Sequence, residues 1–166
     1  MDTKYLILAG VVIVGALAYF FFLRDKPAQV QKDKPANSDS VSLQLQAYER
    51  LALLVDRIAI SNLVSRTAYD GLSARDMQLV LTRSIRDEFD YNITQQIYIT
   101  PQTWNAVKGL KEKNLLIINQ VASIMPPNAT GLDFNRSLLE YMMNDDKANL
   151  HELVSEALSY EAKKLL

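Results

Sequence analysis

The feature that most constrains this chain is the apolar stretch Tyr5–Leu23, which reads YLILAGVVIVGALAYFFFL. It contains no charged residue, no proline and no strongly polar side chain. A helix rises ~1.5 Å per residue, so this stretch is long enough to cross the ~30 Å hydrocarbon core of a bilayer. A helix also pairs its backbone groups within the segment, as lipid requires. The sequence therefore predicts an N-terminal transmembrane anchor over residues 1–23, with Tyr5 to Leu23 contacting the lipid bilayer.

The end of this stretch distinguishes an anchor from a cleaved signal peptide. Signal peptides have a shorter apolar core, ~7–15 residues, and small residues at the cleavage site. Here the stretch ends in the bulky run 19–23, and charged residues follow directly. Its small residues do not recur at the four-residue spacing that close helix pairs use. We therefore expect an uncleaved anchor without a dimerisation motif.

The basic residues beside the stretch predict its orientation. Lys4 precedes it, whereas four basic residues follow it closely: Arg24, Lys26, Lys32 and Lys34. Basic residues near a span favour the cytoplasmic side. The sequence thus predicts a single-pass protein of a bacterial inner membrane, with its N-terminus outside and its C-terminal domain in the cytoplasm.

Composition excludes several classes of function for the rest of the chain. The net charge is −1, so the clustered basic surface that neutralises nucleic-acid phosphates is not expected. The chain has no cysteine, which excludes disulfides, thiol catalysis and cysteine-ligated zinc. About 125 residues remain beyond the anchor and a linker, which is a common size for one domain.

Residues 24–40 form a polar, charged stretch with Pro27 and Pro35, which predicts a flexible linker.

Residues 41–166 show apolar residues at helical spacing, which predicts an all-α cytoplasmic domain, a soluble bundle of about five helices. The predicted helices run from about Ser40 to Ile58, from Ser73 past Phe89, from Thr100-Pro101 to about Met125, from a cap at Asp133 to about Met143, and from about Lys147 to the end. Ser73 and Asp76 fit a capping box, Ser61–Val64 a short helical turn, and Gln95–Thr100 either an extended linker or a helical turn.

The sequence resembles a family of small, uncharacterised bacterial proteins with one N-terminal span, a charged linker and a helical C-terminal domain. The resemblance covers about Leu43 to Leu166 and rests on motifs that occur in order: Leu45–Arg57, Ser61–Val64, Ile85–Asn92, Gln95–Tyr98, Trp104 with Val107-Lys108, and Pro127–Leu132. It implies the fold, the anchor and an inner-membrane location. It implies no activity, cofactor or catalytic residue.

The residues themselves carry little recognisable chemistry. His151 is the only histidine, and its helix lacks the second histidine of a zinc-protease motif. The acidic residues Asp87, Glu88 and Asp90 are the best candidates for a magnesium or calcium site, because such ions prefer oxygen ligands. Arg83 lies one turn before them, so ion pairing on a solvent-facing helix is the alternative. We assign no catalytic, cofactor-binding or metal-ligating residue from the sequence, and we expect no cofactor.

Three functions agree with these features. The first is a non-enzymatic, membrane-anchored interaction or scaffold module that binds an unidentified protein partner at the inner membrane. The second is a metal-binding or enzymatic domain that uses Asp87, Glu88 and Asp90. The third is a self-assembling structural protein with the helix Val41–Ile58 as its oligomer interface. Our leading hypothesis is the first, since an anchor and a full-size domain occur without a catalytic motif.

Overall fold

The computed structural model describes residues 38–144 and 150–166, so the predicted anchor and nearly all of the predicted linker lie outside the described residues. Six α-helices and one 3₁₀ helix occur in these residues, with no β-strand beyond one isolated bridge. The predicted all-α class is confirmed for this part of the chain. None of the described helices is both long and apolar enough to cross a membrane. The helices are Ser38–Ile58 (α1), Ile60–Arg66 (α2), Ala74–Tyr91 (α3), Pro101–Ile124 (α4), Gly131–Asn144 (α5) and Leu150–Lys163 (α6), and the 3₁₀ helix Ile93–Ile97 joins α3 to α4.

Helix α1 is the amphipathic helix that the sequence predicts, and it begins at Ser38, inside the predicted linker. Its buried face contains the apolar residues at helical spacing: Ala47, Tyr48, Leu51, Leu54, Val55 and Ile58. This face packs against α3, α4 and α6. The face proposed as an oligomer interface is therefore covered within the domain.

The chain bends between α1 and α2 without a glycine or proline. A helix end leaves its last carbonyl groups without partners in the helix. Here side chains supply them: the Asn62 amide donates to the Asp56 carbonyl at 3.1 Å, and the Arg66 guanidinium donates to the Arg57 carbonyl at 2.9 Å. From α4, the buried Asn114 amide donates to the Ile58 carbonyl at 2.7 Å. These contacts stabilise the bend after Ile58, so the predicted helical turn Ser61–Val64 belongs to a separate helix, α2. This helix is the reason that six α-helices are described where the sequence predicts about five.

Two predicted helix starts are confirmed. The Ser73 hydroxyl accepts from the Asp76 backbone N–H at 3.1 Å, and the Asp76 carboxylate accepts in return from Ser73, which completes the capping box of α3. Thr100 caps α4 and Pro101 occupies its first position. The ambiguous segment Gln95–Thr100 falls partly in the 3₁₀ helix.

The predicted cap at Asp133 is wrong. Helix α5 begins at Gly131, and Thr130 is its cap: the Thr130 hydroxyl accepts from the Asp133 N–H at 3.2 Å, and the Asp133 carboxylate accepts from the Thr130 N–H at 3.0 Å. Asp133 is therefore the third helical residue of a capping box. For α6, the described residues begin at Leu150, so the predicted start at Lys147 lies outside them.

Candidate interaction surface

The three acidic residues proposed as a metal site lie near the C-terminal end of α3. Glu88 Oε1 lies 2.6 Å from Arg57 Nη2 and 3.7 Å from Arg66 Nη1, so this carboxylate links α3 to α1 and α2. Asp87 instead faces solvent, where its carboxylate lies 3.6 Å from Arg83 Nε. The three residues therefore do not share one environment.

Metal binding needs several ligands that converge on one point. Across residues 38–144 and 150–166, no group of three histidine or acidic side chains could hold a metal ion. The two arginines beside Glu88 already neutralise the least exposed of these carboxylates. The geometry thus supports a helix-to-helix contact at Glu88 and a solvent-facing ion pair at Asp87.

His151 lies half-buried at the start of α6, beside a cleft of about 190 Å³. The polar lining of this cleft includes Lys113, Asn114 and Glu152. The Asn114 amide is bonded to the Ile58 carbonyl, so this side chain serves the bend between α1 and α2. In this cleft His151 therefore lies near Asn114, whose amide stabilises the bend between α1 and α2.

A second cleft lies between the loop before α3 and the loop before α5. The two loops meet in an antiparallel bridge between Ser73 and Thr130. The Ala74 N–H donates to the Ala129 carbonyl at 2.9 Å, and the Gly131 N–H donates to the Leu72 carbonyl at 2.8 Å. These two bonds flank the N-cap residues Ser73 and Thr130, so the starts of α3 and α5 are fixed together.

The capping boxes on either side of this bridge match closely. Each has a hydroxyl residue followed three positions later by aspartate, and each hydroxyl donates to that carboxylate at 2.7 Å, in Ser73–Asp76 and in Thr130–Asp133. The bridge thus joins two helix–loop–helix units at equivalent positions. One unit contains α2 and α3, and the other contains α4 and α5. Sequence reasoning missed this pairing, although the repeated pattern of hydroxyl and aspartate residues was a signal for it.

Two glycines allow the loops to come this close. Gly71 has φ +75°, a left-handed conformation that glycine adopts without strain. At Gly131, an added Cβ would lie 3.3 Å from the carbonyl oxygens of Leu72 and Tyr69. The backbone of one loop therefore occupies the space that a side chain at Gly131 would need.

The pKa of Asp133 also depends on this arrangement. Hydrogen bonds from the Thr130 side chain and backbone lower the pKa of the Asp133 carboxyl below its usual value, and the charge of Arg136 adds to this effect. Asp133 thus stays ionised and keeps accepting both hydrogen bonds across the physiological range.

The cleft between the loops is open and has a volume of about 520 Å³. We call it the two-loop cleft; the residues that line it are Tyr69, Asp70, Gly71, Leu72, Ser73, Pro127, Asn128, Ala129, Thr130 and Leu132. Tyr69 and Leu132 are exposed large side chains at this cleft. Concave sites with apolar side chains and a few fixed polar groups are typical binding sites. The lining of the two-loop cleft combines these apolar side chains with polar groups of both loops.

The described part of the chain is thus an all-helical domain with paired helix–loop–helix units. A model of the DUF7935 family, a family of unknown function, matches residues 2–165. The chain belongs to this family, and the expected membership of an uncharacterised family is confirmed. No curated protein and no solved structure matches the chain. The bacterial origin and the membrane span remain predictions.

Proposed function

We propose that this protein is a non-enzymatic, membrane-anchored interaction module whose helical domain binds a protein partner at the inner membrane. The observation that carries the proposal is the two-loop cleft: a concave surface held by two capping boxes and a backbone bridge. Binding residues are often found on loops that a rigid scaffold positions. The cleft fits this description.

The tether is supported by the sequence alone. Tyr5–Leu23 has the length and composition of a membrane span, and the basic residues after it favour a cytoplasmic domain. A membrane anchor would confine the domain near membrane-bound partners. Such confinement raises the effective concentration of each partner, so weak binding at one cleft is enough.

The chemistry of the cleft indicates the kind of partner. Tyr69 offers an aromatic ring with a hydroxyl, and Leu132 an aliphatic side chain, while Asn128 can donate and accept hydrogen bonds. Tyrosine is frequent among residues that dominate binding at protein interfaces. We therefore expect a protein segment that inserts an apolar side chain and hydrogen-bonds to the rim.

Site-specific photocrosslinking in native membranes tests the proposal. A benzophenone amino acid replaces Tyr69 in one full-length variant and Leu116 in a control, since Leu116 is exposed on α4 and does not line the cleft. The account predicts one reproducible protein adduct for the probe at Tyr69 and none for the probe at Leu116. The adduct should disappear when the first variant also carries Leu132→Asp and should persist with Leu139→Asp, which changes an exposed residue outside the cleft lining. Identical adducts at both probe positions, or none at either, would reject the cleft as the partner site.

A further inference from the structure

A second exposed apolar surface lies at the other end of α4. Tyr91 at the end of α3 and Ile93 and Ile97 in the 3₁₀ helix are all exposed, with Tyr91 at 73% and Ile97 at 71%. The 3₁₀ helix packs against α1 and α3. We call these three residues the apolar end patch. The three side chains lie within seven consecutive residues, and grouped exposed apolar side chains mark places where a protein contacts a partner or a membrane.

Contacts place this patch beside the middle of α1. The Arg50 guanidinium lies 5.3 Å from the centre of the Tyr91 ring. Leu43, also exposed, precedes Arg50 by two helical turns on the same face of α1. Phe89 stacks on Trp104 near the start of α4, with ring centres 5.0 Å apart. Tyr48 of α1 is hydrogen-bonded to Thr103, and Ile58 further along α1 to Asn114, so α1 and α4 run in the same direction. The patch is therefore at the end of the domain where both helices begin.

Helix α4 separates the patch from the two-loop cleft. The patch lies just before Thr100, the cap of α4, and the cleft includes Pro127, three residues after the helix ends at Ile124. A helix of this length, at ~1.5 Å per residue, extends roughly 36 Å. The two surfaces are thus at opposite ends of the domain.

The chain upstream of α1 suggests what covers the patch. Fourteen residues separate Leu23 from Ser38, the first residue of α1. Even fully extended, a chain spans at most ~3.5 Å per residue, so Ser38 would stay within roughly 50 Å of the bilayer. This step rests on the proposed membrane anchor. The chain therefore enters the domain, at Ser38, at the end that carries the patch.

We propose that the apolar end patch docks on the lipid surface of the membrane that holds the anchor. Tyrosine rings favour the headgroup level of a bilayer, and apolar side chains beside them enter the acyl boundary. Arg50 can extend its charged group to the headgroups while its methylene groups stay on the apolar surface. This docking directs the two-loop cleft away from the lipid, toward the parts of membrane-bound partners that extend from the membrane.

Nearby charges indicate how the patch binds lipid. Glu49 and Asp90 are exposed neighbours of Arg50 and Tyr91 in sequence, so the surface is not strongly basic. Docking therefore depends on apolar contact and on the tether, and it needs no excess of anionic lipid. Vesicles of phosphatidylcholine alone are the appropriate probe.

Single labels on the full-length chain test the docking. The chain has no cysteine, so Ile97→Cys and Ile124→Cys each give one labelling site. Ile124 is a matched control, since it is 78% exposed and lies at the opposite end of α4. With an NBD label and a headgroup spin-labelled lipid, we expect at least twofold stronger quenching at Ile97→Cys. With the label at Ile93→Cys, Ile97→Asp should lower the quenching and Ile124→Asp should not.

Each other outcome overturns the docking. Equal quenching at both ends, or stronger quenching at Ile124→Cys, contradicts the proposed orientation. A blue shift at Ile97→Cys that appears in detergent and rises with protein concentration indicates that a second copy covers the patch. Flotation with the vesicles distinguishes a wrong docking proposal from a wrong anchor proposal. A chain that does not float refutes the anchor and the docking together. A chain that floats without differential quenching refutes the docking alone.

Discussion

Arg57 Nη2 and Glu88 Oε1 lie 2.6 Å apart and join the C-terminal end of α1 to the C-terminal half of α3. Arg66 Nη1 approaches the same carboxylate oxygen at 3.7 Å. The Glu88 side chain is only 18% exposed, whereas that of Asp87 is 70% exposed. Adjacent acidic residues thus have different roles: Glu88 connects three helices, and Asp87 forms an ion pair in solvent.

This difference predicts unequal effects of removing each charge. Glu88→Gln should destabilise the domain by about 1 kcal/mol, at the upper end for ion pairs that remain partly exposed. That loss corresponds to a melting temperature lower by about 4 °C for a domain of this size. Asp87→Asn is the control and should change stability by less than about 0.5 kcal/mol. Thermal denaturation of both variants checks this. An equal loss of stability in both would show that the contact between α1 and α3 adds nothing beyond a solvent-exposed ion pair.

The Asp87→Asn variant also tests the metal hypothesis. Because the described acidic groups do not converge, millimolar calcium or magnesium should leave the melting temperature of the unmodified protein unchanged. A rise in melting temperature that Asp87→Asn abolishes would restore the hypothesis of a metal site at Asp87, Glu88 and Asp90.

Alanine at two glycines should have opposite effects. At Gly131 the new Cβ meets backbone carbonyls at 3.3 Å, and one of these belongs to Leu72, which is already bonded to the Gly131 N–H. We expect Gly131→Ala to lower the free energy of unfolding by about 1 kcal/mol or more. At Gly109, inside α4, nothing lies within 4 Å of the new Cβ, so Gly109→Ala should raise it by up to about 1 kcal/mol. Urea denaturation measures both, and stabilisation by Gly131→Ala would contradict the close approach of the loops.

The side chain of Asn114 should be essential at the bend between α1 and α2. Asn114→Leu leaves the buried Ile58 carbonyl without its donor, which should cost about 1–3 kcal/mol. Asn119→Ala is a control, since Asn119 accepts from the Gln78 amide at 2.8 Å on the surface. Its loss should stay below about 0.5 kcal/mol. Similar losses in the two variants would show that the bend does not need the Asn114 amide.

The Asp133 carboxylate, in the capping box beside the two-loop cleft, should stabilise the folded domain less in acid. Because hydrogen bonds lower the pKa of Asp133 in the folded state, its contribution is present above the unfolded pKa, ~3.9, and is lost as the pH falls through the folded pKa. The difference in melting temperature between the unmodified protein and Asp133→Asn should therefore be largest above pH ~5 and shrink below pH ~4. A difference that does not change between pH 7 and pH 3 would contradict ionisation of Asp133 as the cause.

Local sequence signals predict much of this fold. Helical spacing predicts the buried face of α1, and capping residues predict the starts of α3 and α4. Helical spacing also predicts the end of α1 at about Ile58, but the hydrogen bond that holds the bend there could not be predicted, because Asn114 supplies it from 56 residues away. Similarly, Asp133 alone looks like a cap, and only its bonds with Thr130 show its actual position. The two-loop cleft depends on the backbone bridge between Ser73 and Thr130. The repeated pattern of hydroxyl and aspartate residues indicates two similar helix starts, but it does not show that they are neighbours in space.

We propose that the segment Tyr5–Leu23 holds the helical domain at the cytoplasmic face of a membrane. The most direct test is maleimide labelling of single-cysteine variants, Thr3→Cys and Leu139→Cys, in intact and lysed bacterial cells. Each variant is first checked for retention in membranes at alkaline pH. We expect retention of both, labelling of Thr3→Cys in intact cells with a membrane-impermeant reagent, and labelling of Leu139→Cys only after lysis. Release of the chain at alkaline pH, or labelling of Leu139→Cys in intact cells, would contradict it.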